Sequence, residues 1–345
     1  MITDYSKTLG DLSKEETVRI QNEDQLYLRQ KEANRRLSKA PSRKSCILCN
    51  CRIKGREFLH RNVSFIACVE CGHIQSKALP PEGFPDELEG KEQFTKIYPK
   101  LGKDEFEDRK NRIYHPKLNW IFSALERSGY EKSELLKMRW LELGSGNGAF
   151  LSSLEDMGVK EYIGFEKEET LIKRSKTFVA PERVSHSTGS LGEIIRTNQA
   201  EIICSFFVFE HDEKLSELIN ALKDCQSGTL LCFSVPMFGL SCLLENLAAE
   251  RYARSLDAAI HVQTFTDESI NYFLHSAGFQ KIATWQFGQD ALELRRFLLP
   301  IIRNTDDGDS LAQKLDDCLD DVQSVMDRAG LCDQTHVIAI REQAC

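Results

Sequence analysis

The chain lacks any run of the ~20 apolar residues that a bilayer-crossing helix needs. Its opening residues, MITDYSKT, lack the apolar centre of a secretory signal. These two absences set the expectation of a cytoplasmic protein with no membrane span. Positive charge is also scarce: 45 Lys and Arg face 53 Asp and Glu, for a formal net charge of −8. Nucleic acid is therefore not an expected partner, because phosphate binding draws on clustered basic side chains. The one basic stretch, Arg35, Arg36, Arg43 and Lys44, reads as a solvated linker. No internal repeat is visible, which argues against a solenoid or array. At 345 residues, 41% of them hydrophobic and 28% charged, the chain has material for one substantial domain and a smaller attachment.

Cysteine is plentiful, with twelve residues. Without a secretory signal they are expected to be reduced. Four of them fall into two pairs, Cys46-Ile-Leu-Cys49 and Cys68-Val-Glu-Cys71. Two C-x2-C knuckles at this separation supply the four soft thiolates that tetrahedral zinc takes at structural sites. Cys51 and His73 stand close enough to be substitutes. Four cysteine ligands leave no position for water, so the expected metal is structural.

Organisation follows from composition. Residues 1–40 read as a polar helical or disordered arm. Residues 41–90 hold the zinc-binding module and a linker, where Pro80, Pro81, Gly83 and Pro85 break regular structure. Residues 91–345 form the main domain. It opens with an amphipathic helix over Pro116–Arg127, on Leu118, Ile121, Phe122 and Leu125. Short apolar runs then alternate with longer amphipathic ones: RWLEL, YIGFE, EIICSFF, TLLCFSV, FQKIATW and THVIAIRE. That alternation predicts an α/β fold, a doubly wound parallel sheet covered by helices.

The first of these strands leads directly into Gly144-Ser145-Gly146-Asn147-Gly148 and then a helical start. The glycines let the main chain turn sharply and approach a ligand, and the helix that follows presents free N–H groups. Gly144, Gly146 and Ala149 also satisfy G-x-G-x-x-G/A, so glycine spacing by itself keeps NAD in view. Glu142, two residues before the first glycine, makes the segment resemble motif I of the class I S-adenosylmethionine (SAM)-dependent methyltransferases. The second strand ends on Glu166, where a carboxylate would hold ribose hydroxyls, with Lys167 on the same rim. Phe206-Phe-Val-Phe-Glu210-His211 resembles that family's fourth-strand segment, and Thr188-Gly189-Ser190 departs from it where many members place an acidic residue near adenine.

The resemblance spans about residues 105–341 and implies a Rossmann-like, seven-stranded methyltransferase sheet. The Cys46–Cys71 segment resembles a zinc-binding module found ahead of the fold in some bacterial sugar methyltransferases. It implies SAM and Zn2+ as cofactors and a sugar or nucleotide-linked sugar as acceptor, methylated on oxygen or carbon. A homodimer is a further expectation. The implied cofactor-binding set is Glu142, Gly144, Ser145, Gly146, Asn147, Gly148, Glu166, Lys167, Ser190 and Phe206. A base to take the acceptor's proton is sought in His211, His261 or Glu210. Tyr98, Tyr114 and His115 read as core or cap. Two other readings stay open: an NAD-dependent oxidoreductase or epimerase, although no Tyr-x-x-x-Lys pair follows the glycine loop, and a zinc-ribbon RNA-binding methyltransferase or adaptor.

Overall fold

The computed structural model describes residues 1–10, 21–81, 84, 102–247 and 250–343. Tyr98 and the boundary expected near residue 90 lie outside the described residues. The predicted runs become strands β5 (Arg139–Leu143), β6 (Glu161–Glu166), β8 (Ile202–Phe206), β9 (Leu230–Pro236), β11 (Phe279–Phe287) and β12 (Gln334–Arg341). A three-residue strand, β7 (Val184–His186), completes the expected seven. An eighth comes from the N-terminus, where β1 (Ile2–Tyr5) pairs in parallel with β11. The sheet order is β1-β11-β12-β9-β8-β5-β6-β7. The five strands from β7 to β9 run parallel, and β12 is antiparallel to both β9 and β11.

Period-two alternation serves two apolar layers, because both faces are covered. Leu141, Leu143, Ile203, Leu231 and Phe233 face one core, which they share with helix Asp267–Ala277. Trp140, Ile202, Cys204, Leu230 and Cys232 face the other, against helices His115–Arg127 and Ala149–Asp156. Strand order reverses between β5 and β8, and in such sheets the crevice outside the strand ends at the reversal is the ligand position.

The cysteine pairs sit on two knuckles with one backbone design. The Asn50 N–H donates to Cys46 O at 3.0 Å and the Gly72 N–H to Cys68 O at 2.8 Å, each from a left-handed residue at φ +56° and φ +68°. Beside them β2 (Gly55–His60), β3 (Val63–Cys68) and β4 (Ile74–Ser76) form an antiparallel sheet. Its fourth strand, β10 (Gln263–Thr264), comes from the C-terminal half and pairs with β4. Cys46, Ile47, Leu48, Cys68 and Cys71 share a core cluster with Phe265, Ile270 and Phe273. The small module is thus built into the larger unit by a shared sheet and a shared core.

The N-terminal segment straps the sheet. The Trp120 indole N–H donates to Asp4 Oδ2 at 2.9 Å, and that of Trp285 to Ser6 O at 2.9 Å. Further on, Glu23–Leu37 forms a helix whose Gln30 exchanges two hydrogen bonds with the Ala253 backbone, at 2.8 and 2.9 Å.

Candidate functional site

The glycine loop leaves β5 with Gly144, Gly146 and Gly148 at φ +71°, +54° and +81°, conformations that cost an L-residue about 1–2 kcal/mol each. A Cβ on Gly144 would come within 2.4 Å of Val208 Cγ2, whereas one on Gly146 would meet nothing within 4 Å. The loop is packed at its first glycine and open at its second.

Most of its amides are already used. Gly144 and Ser145 both donate to Phe165 O, at 2.8 and 3.0 Å, and Gly146 donates to Glu166 Oε2 at 2.8 Å. The other Glu166 oxygen accepts from the Lys167 and Glu168 amides at 2.8 and 2.9 Å. Glu166 therefore stands on the loop, at the tip of the adjacent strand. Ser145 lies over Gly164, where a Cβ would come within 2.9 Å of its Oγ, so its hydroxyl faces β6. Asn147 Oδ1 accepts from the Ala149 amide at 3.3 Å. Lys167 is exposed on the rim. Ser190 is placed as the N-cap of helix Leu191–Thr197, accepting from the Glu193 amide at 3.3 Å.

Glu142 is 4% exposed and its Oε2 has no hydrogen-bond partner among the described residues. Burial pushes its pKa up to about 8, against the pull of Lys117. Lys117 is a residue that sequence reasoning passed over. It is 2% exposed, and burial takes its pKa down to about 7, opposed by Glu142. Its Nζ lies 4.0 Å from the centroid of the Phe206 ring and 5.1 Å from that of Tyr114. The signal was available: position 117 lies on the same helical stripe as Ile121 and Ala124, both fully buried. A lysine on an apolar stripe next to a buried carboxylate is an unusual expense for a fold.

Beyond β8 the chain makes an abrupt turn. Phe207 takes φ +58°, a conformation rare for an aromatic residue, and then Phe209–His211 forms one turn of 3-10 helix. This turn brings together the three residues sought as the base. The His211 and His261 rings lie 5.1 Å apart between centroids, and His211 Nε2 is 4.0 Å from Glu210 Oε1. Glu210 is 1% exposed and burial raises its pKa to about 8. Burial, then the charge of His211, holds His261 down at about 3. The protein packed around His211 also lowers its pKa.

The turn is tied to the small module. The Gln263 amide donates to Phe209 O and Asp212 O at 2.8 and 2.7 Å, and its Oε1 meets His73 Nε2 at 2.7 Å. In that module the four thiols of Cys46, Cys49, Cys68 and Cys71 lie within 4.8 Å of one another, with Cys46–Cys71 and Cys49–Cys68 separations of 3.7 and 3.8 Å. Tetrahedral zinc with ~2.3 Å bonds to sulfur requires sulfurs about 3.8 Å apart. The four residues could hold such an ion, whereas Cys51 is exposed and His73 is committed to Gln263.

A family model described as methyltransferase domain matches residues 111–284, just over half of the chain. The chain belongs to that family and is an enzyme of the SAM-dependent methyltransferase class. No curated protein sequence matches it. Among solved structures it is similar to a sarcosine dimethylglycine methyltransferase from Galdieria sulphuraria, at 13% identity and TM-score 0.48, over 76% of this chain and 100% of the other. It is also similar to magnesium protoporphyrin IX methyltransferase from Synechocystis with bound S-adenosylhomocysteine, at 13% identity and TM-score 0.45, over 76% and 97% of the two chains. Human N-acetylserotonin methyltransferase in complex with SAM aligns at 14% identity and TM-score 0.40, over 77% of this chain and 61% of the other.

Proposed function

We propose that this enzyme transfers the methyl group of SAM to oxygen or carbon on a small acceptor, a sugar or nucleotide-linked sugar, and that zinc on Cys46, Cys49, Cys68 and Cys71 holds the acceptor side of the site in shape. The observation that carries the cofactor reading is the state of the glycine loop. Three of its amides are taken by Phe165 O and Glu166, so it has little to offer a pyrophosphate. Glu142, buried two residues before the first glycine, adds a carboxyl group that a pyrophosphate does not call for. A ligand with cationic and hydroxyl donors and no phosphate suits this loop, which favours SAM over NAD. The unpartnered Glu142 Oε2 fits the ammonium of the methionine portion, and Lys117 fits its carboxylate. Glu166 would receive the ribose hydroxyls, and Phe206 and Ser190 line the flanks.

SAM, when bound, supplies an electrophilic methyl on a sulfonium. The chain's part is to hold the acceptor in line and remove its proton. His211 is the best placed of the three candidates to do so, because its ring is 38% exposed while Glu210 is buried behind it. His261 flanks it, and the Ile260 carbonyl, which accepts from His211 Nδ1 at 3.0 Å, orients it. The sugar reading draws on the likeness of the Cys46–Cys71 module to that of sugar methyltransferases. Incubation with SAM labelled on its methyl group and a panel of sugar nucleotides, small amines and tRNA tests it. Label transferred to a sugar nucleotide is expected, and label on the amine or the RNA alone would contradict the reading.

A further inference from the structure

The Glu210, His211 and His261 group has more order than a single proton acceptor needs. One ligand atom from each, a carboxylate oxygen and two ring nitrogens, lies within 4.8 Å of the other two. His211 Nδ1 donates to Ile260 O at 3.0 Å, which fixes the tautomer and turns Nε2 toward Glu210. His261 is held by the Arg254 backbone, leaving a buried Nδ1 with no partner among the described residues. Glu210 Oε2 is likewise buried and without a partner among them. A histidine whose second nitrogen is tied to a backbone carbonyl is the usual arrangement of a metal-ligating imidazole. Two buried polar atoms in one such group, His261 Nδ1 and Glu210 Oε2, both without a partner among the described residues, would be costly to maintain without a ligand.

The charges facing the group are compatible with a cation. Arg254 is paired with Glu293 and Asp333, and Arg29 with Asp257. Arg43 is paired with Glu213. Asp212, one residue beyond His211, accepts the Lys214 amide through Oδ1 at 2.9 Å. Two imidazoles and one carboxylate favour a divalent transition metal over magnesium or calcium, and such a set leaves coordination positions open.

We propose that Glu210, His211 and His261 bind a divalent transition-metal cation whose open positions take two neighbouring oxygens of the methyl acceptor. This rests on the methyl-transfer reading of the site, and with His211 Nε2 on the cation it replaces His211 as the base: the cation would acidify the bound hydroxyl, whose proton leaves to solvent. It narrows the acceptor to a molecule with adjacent hydroxyls, such as a vicinal diol on a sugar ring.

The test is a Mn2+ titration of the zinc-replete full chain followed by electron paramagnetic resonance, with S-adenosylhomocysteine titrated into the same samples by calorimetry. One Mn2+ per chain is expected. Glu210→Gln, nearly isosteric, and His261→Ala should each weaken it by at least about tenfold, with S-adenosylhomocysteine affinity unchanged as the control for folding. A nucleotide-linked hexose with a free diol should perturb the Mn2+ spectrum and its deoxy analogue should not. S-adenosylhomocysteine binding without Mn2+ binding, or variants that hold Mn2+ as the wild type does, would overturn the cation site and leave the methyltransferase reading intact. No S-adenosylhomocysteine binding by the wild type would overturn the reading beneath it.

Discussion

Replacing Lys117 by Met should stabilise the protein and weaken its cofactor. The change keeps an unbranched chain of similar volume and removes a buried ammonium. A lysine whose pKa falls from 10.5 to about 7 carries about 5 kcal/mol of penalty on its charged form. Its place over the Phe206 ring returns about 1–2 kcal/mol of that. The expected gain is therefore about 3 kcal/mol where the lysine is charged in both states. The sign with pH follows from the lowered value. Below pH 7 both folded and unfolded chains hold the proton and the folded state bears the whole penalty. Between pH 7 and 10.5 the folded state sheds the proton first and the penalty fades, so the variant's advantage should be largest near pH 6 and shrink as pH rises. Urea unfolding at pH 6, 7.5 and 9 measures this. Loss of a charge-assisted contact to the methionine carboxylate, worth about 1.5–3 kcal/mol, should weaken S-adenosylhomocysteine by about 10- to 150-fold. A variant less stable than wild type at pH 6 would show that the buried ammonium carries no such penalty, and one that binds S-adenosylhomocysteine unchanged would remove Lys117 from the cofactor site.

Other perturbations have expected outcomes of their own. Burial holds Glu142 at about 8 and Lys117 at about 7, so if ionised Glu142 receives the ammonium and charged Lys117 the carboxylate, S-adenosylhomocysteine affinity should peak between pH 7 and 8, and in Glu142→Gln it should only fall as pH rises; calorimetry across this range checks it. Gly144→Ala sets a Cβ 2.4 Å from Val208 at φ +71° and should cost at least about 1–2 kcal/mol of stability, read by chemical unfolding. Cys71→Ser should lower zinc content and, because metal binding is part of such a module's folding energy, reduce stability by several kcal/mol. Chelation should also reduce methyl transfer before the main domain unfolds, because His73 and Gln263 tie the module to the Phe209–His211 turn; parallel activity and circular dichroism traces separate the two events.

Local pattern made much of this legible and long-range pairing hid the rest. The β5 and β6 runs, the Pro116–Arg127 helix, the glycine loop and the cysteine knuckles are encoded within a few residues each, and they stand where spacing puts them. Strand β1 was hidden because its four residues form a strand only by joining the edge of β11, some 280 positions away. β7, at three residues, is too short to show a period. The same holds for β10, whose two residues matter because they complete the small module's sheet. At the site, Glu142 and Glu166 were readable from their offsets to the glycines. Lys117 required asking why a charge sits on an apolar stripe, and the closeness of Glu210, His211 and His261 depends on the Phe207 turn and on Gln263, neither visible as a pattern.

In the proposed function the glycine loop holds SAM. Calorimetric titration of the purified chain with S-adenosylhomocysteine and, separately, with NAD tests it most directly, with Glu166→Ala as the companion variant. S-adenosylhomocysteine should bind the wild type, its affinity should fall by at least about tenfold in the variant, and NAD should not bind. Binding of NAD with no heat from S-adenosylhomocysteine would contradict it.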